Sequence, residues 1–426
     1  MSGVTNLVSH IKLPRFVRAH QYFPHTELSP EQVKSALDEA FARPEISDRI
    51  QPGKRICITA GSRGVSNMTL VTKYLVDYIK ARGAYPFLIP AMGSHGGATA
   101  EGQHAILESL GITEHSMGCP IVSSMETVEI SRIDGLPVNI DKNAYEADGI
   151  IVLNRVKAHT SFQGLYESGL MKMMTIGLGK QHGAYTCHSK GDDFMSQRIS
   201  LIGSEIIKCA NVLLGVALLE NAYERTYRVE VLPAENIPQE EPKLLAEAKK
   251  AMGRIWFDTC DVLIVKQLGK NFSGAGMDPN VTGRCVNPKL RMGIEAQRIG
   301  VLDISEESHG NATGMGRADL APRRFFNKIS FDDTYPNFVT SYSPSAFMMP
   351  IIVDNDEEVF KTAVASSINI DYENPRIIVI NNSLEIEDIL ISEVMIREAE
   401  DIPWITVEGA PFFLDFDTEG NLITMF

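Results

Sequence analysis

No two of the six cysteines stand in a CxxC pair. Cys57, Cys119, Cys187, Cys209, Cys260 and Cys285 are scattered, which argues against a zinc ribbon or thioredoxin-type motif and fits a reducing compartment. No apolar run approaches the ~20 residues a membrane helix needs. Met1 to Tyr22 is polar, without the apolar run of a secretory signal. The expectation is a cytoplasmic protein with no membrane partner. Acidic residues outnumber basic ones, for a formal net charge of −14, yet form no long run. That field disfavours nucleic acid as a partner. An anionic ligand would need a locally basic pocket. GxGxxG is missing after the first predicted strand, which disfavours dinucleotide binding, and HExxH is missing altogether. There is no internal repeat and no low-complexity tract.

What is present is ample core. Hydrophobic residues make up 44% of 426 and charged residues 22%, enough for two or three domains of ~100–200 residues each. Short apolar runs at 54–61, 85–93, 148–156 and 211–220 read as strands. Between them, 67–82, 99–110, 166–177 and 196–208 read as helices, after a first helix at 30–43 capped by Ser29. This alternation predicts α/β architecture with a mainly parallel, Rossmann-like N-terminal sheet. The proline-bearing stretch 233–242 reads as a loop before a helix at 244–252. A second α/β series runs through strands at 260–269, 298–305, 350–354 and 376–381, with a helix near 357–366. The expectation is an N-terminal domain over 1–255 and a C-terminal domain over 256–404 that closes an interdomain cleft, with a final strand within 405–426 that can return to either, the N-terminal domain included.

Sites in open α/β sheets form at the carboxyl ends of strands. Three polar clusters lie there: Gly61-Ser62-Arg63-Gly64, Gly93-Ser94-His95-Gly96-Gly97 and Asn154 to Thr160. Glycine permits tight turns whose amides can meet an anion, and arginine offers a forked donor for a carboxylate. His95 and His159 can each take or give a proton near neutrality. The other histidines at 10, 20, 25, 104, 115 and 182 read as surface or structural groups. The densest segment runs from His159 to His188. Met171, Met173 and Met174 there read as core packing. Lys172 in their company can be a nucleophile or tether, or a lysine that snorkels to water.

These elements, in this order, resemble the nickel-pincer lactate racemase family. An arginine follows the first strand (Arg63), a Gly-x-His turn follows the next (Gly93-Ser94-His95), and a third strand ends in Ala158-His159. Ser168-Gly169-Leu170-Met171-Lys172 matches a Ser-Gly-x-x-Lys motif, and His188 lies sixteen residues beyond the lysine. The resemblance implies a racemase or epimerase acting on a 2-hydroxy acid. It implies a pyridinium-derived nickel pincer nucleotide attached through Lys172, with Ser168 and Gly169 beside it and His188 as protein ligand to nickel. His95 and His159 would be paired general bases, and Arg63 would bind the substrate carboxylate. Two departures stand out. The loop from His159 to Lys172 is three residues longer than in the family's lactate enzymes, and Gly-Leu-Met-Lys replaces their Gly-Gly-Arg-Lys.

The stretches 269–284 and 307–320 are rich in Gly, Asn and Asp. They read either as tight turns or as a wall reading a more polar sugar acid, with Lys270, Asp278, Asn280, Arg284, His309 and Asn311 as candidate substrate contacts. Two alternatives stay open: a small-anion or sugar-acid binding protein, which needs Arg63 but not Lys172, and a metal hydrolase or lyase using His95, His159 and His188. A homo-oligomer is compatible with all of them.

Overall fold

Arg55–Ala60 is buried from its second residue onward. Its side chains alternate between two apolar layers: Cys57 packs with Phe87, Ile150 and Val152, while Ile56 and Ile58 pack with Leu88, Ile151 and Leu153. A strand covered on both faces belongs in a parallel sheet flanked by helices. In the computed structural model, which describes residues 3–341 and 343–424, this strand is second in a five-stranded sheet. The order is Tyr85–Pro90, Arg55–Ala60, Gly149–Arg155, Val212–Glu220, Thr226–Pro233. The first four strands are parallel, and the last runs antiparallel to its neighbour. Strand order reverses between Arg55–Ala60 and Gly149–Arg155, which makes their carboxyl ends the switch point where ligands of such sheets sit. The sheet belongs to a unit spanning Pro24–Met252.

The other unit comprises Met1–Phe23 and Gly253–Phe426. Its eight strands run Ile351–Val353, Leu320–Pro322, Glu295–Ile304, Thr259–Leu268, Ile377–Ile380, Asp388–Ser392, Phe16–Gln21, Ile405–Phe412. The first five are parallel and the last three antiparallel. The expected placement of the first residues is therefore corrected: Phe16–Gln21 pairs here with Ile405–Phe412, the strand whose return was open, and not in the N-terminal sheet. The reason is burial. Phe16 is fully enclosed with Val262, Phe360 and Leu390, and its ring meets Phe360 edge-on at 6.4 Å.

A second correction concerns 233–242. Instead of a loop, Ile237–Ala251 is one helix with Pro238 in its first turn and Pro242 inside it. An internal proline has no N–H for the carbonyl four residues back. That carbonyl, of Pro238, instead accepts the Tyr166 hydroxyl at 2.8 Å. Among the described residues no helix is long and apolar enough to cross a membrane.

Candidate active site

Three of the five strand ends in the first unit's sheet each deliver one expected group. Arg63 follows Arg55–Ala60, His95 follows Tyr85–Pro90, and His159 follows Gly149–Arg155. The His95 turn uses left-handed glycines at 93, 96 and 97. At Gly96 a Cβ would stand 2.6 Å from the Gln103 amide nitrogen, so the close approach itself demands glycine. His95 is exposed, and its Nδ1 lies 2.5 Å from Ser62 Oγ.

The His159 loop is held by a carboxylate. Buried Glu167 accepts the His159 N–H at 2.8 Å and the Gly164 N–H at 3.1 Å, and pairs with Lys249 at 2.5 Å. The imidazole stacks on Phe162 at 4.1 Å between centroids, and Nδ1 accepts the Ser161 N–H at 3.2 Å. Burial, then the charges of Lys172, His188 and Arg63, hold its pKa well below the usual histidine range. His159 is therefore neutral at pH 7.

Ser168 bridges back to Lys157 through paired backbone bonds of 2.8 and 3.2 Å, and the Asn154 amide donates to Gly169 O at 3.0 Å. This pins the start of the turn Leu170–Lys172, which runs into a π-helical stretch Met173–Gly177. Such stretches recur where a side chain must be re-aimed. Met171 and Met174 have no exposure and Met173 only 5%, so the methionines are core, as read. The Lys172 ammonium lies 5.6 Å from the Phe162 ring centre. Burial and then Arg63 lower its pKa to about 8. His188 ends the helix Lys180–His188, and burial followed by Lys172 lowers its pKa to about 4. Arg198, itself buried, donates to Thr186 O and, at 3.2 Å, to Cys187 O, closing the carboxyl end of that helix.

Arg63, His159, Lys172 and His188 thus sense one another's charge in one cationic neighbourhood. Arg63 has an exposed surface, yet the surrounding protein and Arg155 still lower its pKa; the guanidinium remains charged throughout. Asp192, also near Lys172 and raised by burial, is a site group that sequence reasoning missed. So are Glu167, Arg198 and Glu241. Glu241 has no exposure and accepts the Met171 N–H at 2.8 Å. Its other oxygen has no partner, and burial raises its pKa to about 7. None carries a local sequence signal; each is one polar residue on a helix or loop edge.

The remaining candidates lie in the other unit, where local structure engages them. Lys270 Nζ donates to Asn337 at 2.7 Å, and Arg284 pairs with Asp319 at 2.5 Å. Asn311 donates to Asp333 O at 2.8 Å and accepts from Thr313. Asp278 caps the turn Pro279–Thr282 through the Asn280 N–H, and His309 takes a left-handed backbone after Glu306–Ser308. Among the described residues no three His, Cys, Asp or Glu side chains converge as a metal-ligand set.

A mainly parallel sheet with Arg63, His95 and His159 just past three of its strand ends, and a low-pKa lysine in the charge neighbourhood of Arg63 and His159, defines an α/β protein with a candidate site there. Residues 8–197 match the lactate racemase N-terminal domain, and Arg63, His95, His159, Lys172 and His188 all fall inside the match. Over this stretch the chain is similar to lactate racemases. The fold agrees. The lactate racemase apoprotein from Thermoanaerobacterium thermosaccharolyticum superposes with a TM-score of 0.53 at 14% identity, over 87% of this chain and 99% of that one. A Thermotoga maritima protein aligns with a TM-score of 0.47 at 14% identity, over 66% of this chain and 72% of that one. No curated protein sequence matches the chain.

Proposed function

We propose that the chain is a racemase or epimerase of a 2-hydroxy acid, working with a nickel pincer nucleotide attached through Lys172. The observation that carries this is Lys172 itself: a lysine with pKa about 8, beside Arg63 and two histidines kept neutral. A depressed amine is what acylation or thioacylation of the lysine requires. A neutral imidazole is what a soft divalent metal takes as a ligand, and His188 offers one. The donor set therefore fits the group. When bound, the group would supply the acceptor for the hydrogen on the hydroxyl-bearing carbon.

The chain's own residues do the rest. Arg63 would hold the substrate carboxylate by a forked pair of donors. His159 and His95 would accept the hydroxyl proton, each serving one face, and return it once the carbonyl is reduced from the other side. Burial makes His159 a weak base whose conjugate acid gives its proton back readily. The substrate proposed is lactate or a more polar sugar acid.

The test is intact-mass and metal analysis of protein isolated from a host that makes the cofactor. The expected result is an increment of a few hundred daltons on the peptide containing Lys172, with one nickel per chain. An unmodified Lys172 without nickel from such a host would overturn the reading.

A further inference from the structure

Three polar side chains with no solvent exposure, Gln103, Asp141 and Lys180, form one chain of contacts behind the His95 turn. Gln103 Nε2 donates to Gly93 O at 2.8 Å and to His95 O at 3.2 Å, so the amide grips the turn at two points. Its Oε1 accepts from Lys180 Nζ at 3.3 Å. The same ammonium donates to the carbonyl of Pro90, the last residue of the strand before the turn, and pairs with Asp141 Oδ2 at 3.2 Å. Asp141 is fixed in turn: Oδ1 accepts the Asn143 and Ala144 N–H groups at 2.8 and 3.1 Å, and its own N–H donates to Leu178 O at 2.7 Å.

Lys180 is an odd residue to find here. It opens the helix that ends at His188, and its backbone is left-handed, with φ of +52°. That conformation is strained for a non-glycine residue, and a buried ammonium carries a further desolvation cost. Glycine would avoid both, so what lysine contributes is the ammonium and its three donors. Those donors reach the strand end and the amide that hold His95, while the backbone starts the helix that carries His188.

We infer that Gln103 and Lys180 are positioning residues that fix the turn of His95 against the helix of His188. The catalytic consequence rests on the proposed function; the geometric claim does not. Without the Gln103 amide, the left-handed glycines at 93, 96 and 97 leave the turn free to drift, and the imidazole moves with it.

The test compares Gln103→Glu with wild type in the cofactor-free protein. Glutamate keeps an acceptor for Lys180 but has no N–H for the Gly93 and His95 carbonyls. The readout is the side-chain nitrogen resonances of His95, with those of His159 as an internal control. The expected result is a displaced His95 signal and an unchanged His159 signal in a folded protein. A folded variant whose His95 signal coincides with wild type overturns the inference. Wild type alone gives a second check should the variant fail to fold: the Gln103 side-chain amide hydrogens must exchange far more slowly than those of exposed glutamines, and exchange at the exposed rate would overturn the inference as well. In loaded enzyme the expectation is a roughly tenfold fall in kcat with KM little changed. Failure of the nickel reading would remove only that last measurement.

Discussion

Ser62 Oγ lies 2.5 Å from His95 Nδ1, joining two turns at the ends of adjacent strands. A hydroxyl can accept as well as donate. In the tautomer that carries its proton on Nδ1, the hydroxyl accepts from Nδ1–H and Nε2 keeps the lone pair that takes a proton. Ser62→Ala should therefore lower kcat about tenfold with KM little changed, the size of one hydrogen bond worth about 1 kcal/mol or slightly more. Steady-state kinetics decides it; an unaltered kcat would mean that Ser62 does not orient the ring.

Lys172 should be the most amine-reactive lysine of the cofactor-free protein. With a pKa of about 8, roughly a tenth of it is free amine at pH 7, against less than a thousandth for an ordinary lysine. Labelling with a limiting acylating reagent, read by peptide mass spectrometry, should favour the Lys172 peptide. Its rate should rise through pH 8 and level off by pH 9. A rate still climbing at pH 10 would place the ammonium in ordinary solvent.

Glu241 predicts a pH-dependent stability. Its pKa is about 7 in the folded chain, raised from 4.5 by burial. Between those values the folded chain holds one more proton than the unfolded chain, so stability falls as pH rises through the window. Glu241→Gln removes the effect. Relative to wild type, the variant should gain up to about 3 kcal/mol on going from pH 4.5 to pH 7.5, measured by urea unfolding at each pH. Parallel stability curves would refute a titrating Glu241.

Gly169→Ala should be destabilising for a steric reason alone, since its backbone is extended, with φ of −171°. An added Cβ would stand 2.2 Å from Glu241 Oε1. The cost should be about 1–3 kcal/mol, typical of overpacking. Combining it with Glu241→Ala should recover part of that loss in a double-mutant cycle.

The candidate groups were legible because each follows an apolar run: Arg63, His95 and His159 stand just past buried strands. Lys172 and His188 were legible from their order and spacing. The supports were not. Glu241 contacts Met171 across seventy residues of chain, and Gln103 meets Lys180 across seventy-seven. A single polar residue on an amphipathic helix looks like a solvated one until tertiary packing buries it. Prolines also misled: Pro238 and Pro242 read as loop, whereas one sits in a tolerated first turn and the other hands its orphaned carbonyl to Tyr166. Phe16–Gln21 was hidden by its polar surroundings, although Phe16, Val17 and Ala19 carry its buried positions.

That early strand has a consequence for biosynthesis. Phe16–Gln21 is translated more than 360 residues ahead of its neighbours Asp388–Ser392 and Ile405–Phe412. At ~5–20 residues per second, roughly 20–70 s pass before it has a partner. Pro24–Met252 is contiguous and can complete its own sheet in that interval. The sheet of Pro24–Met252 thus can form first, leaving Phe16–Gln21 as an unpaired strand that must be kept from other edges until those two partners emerge.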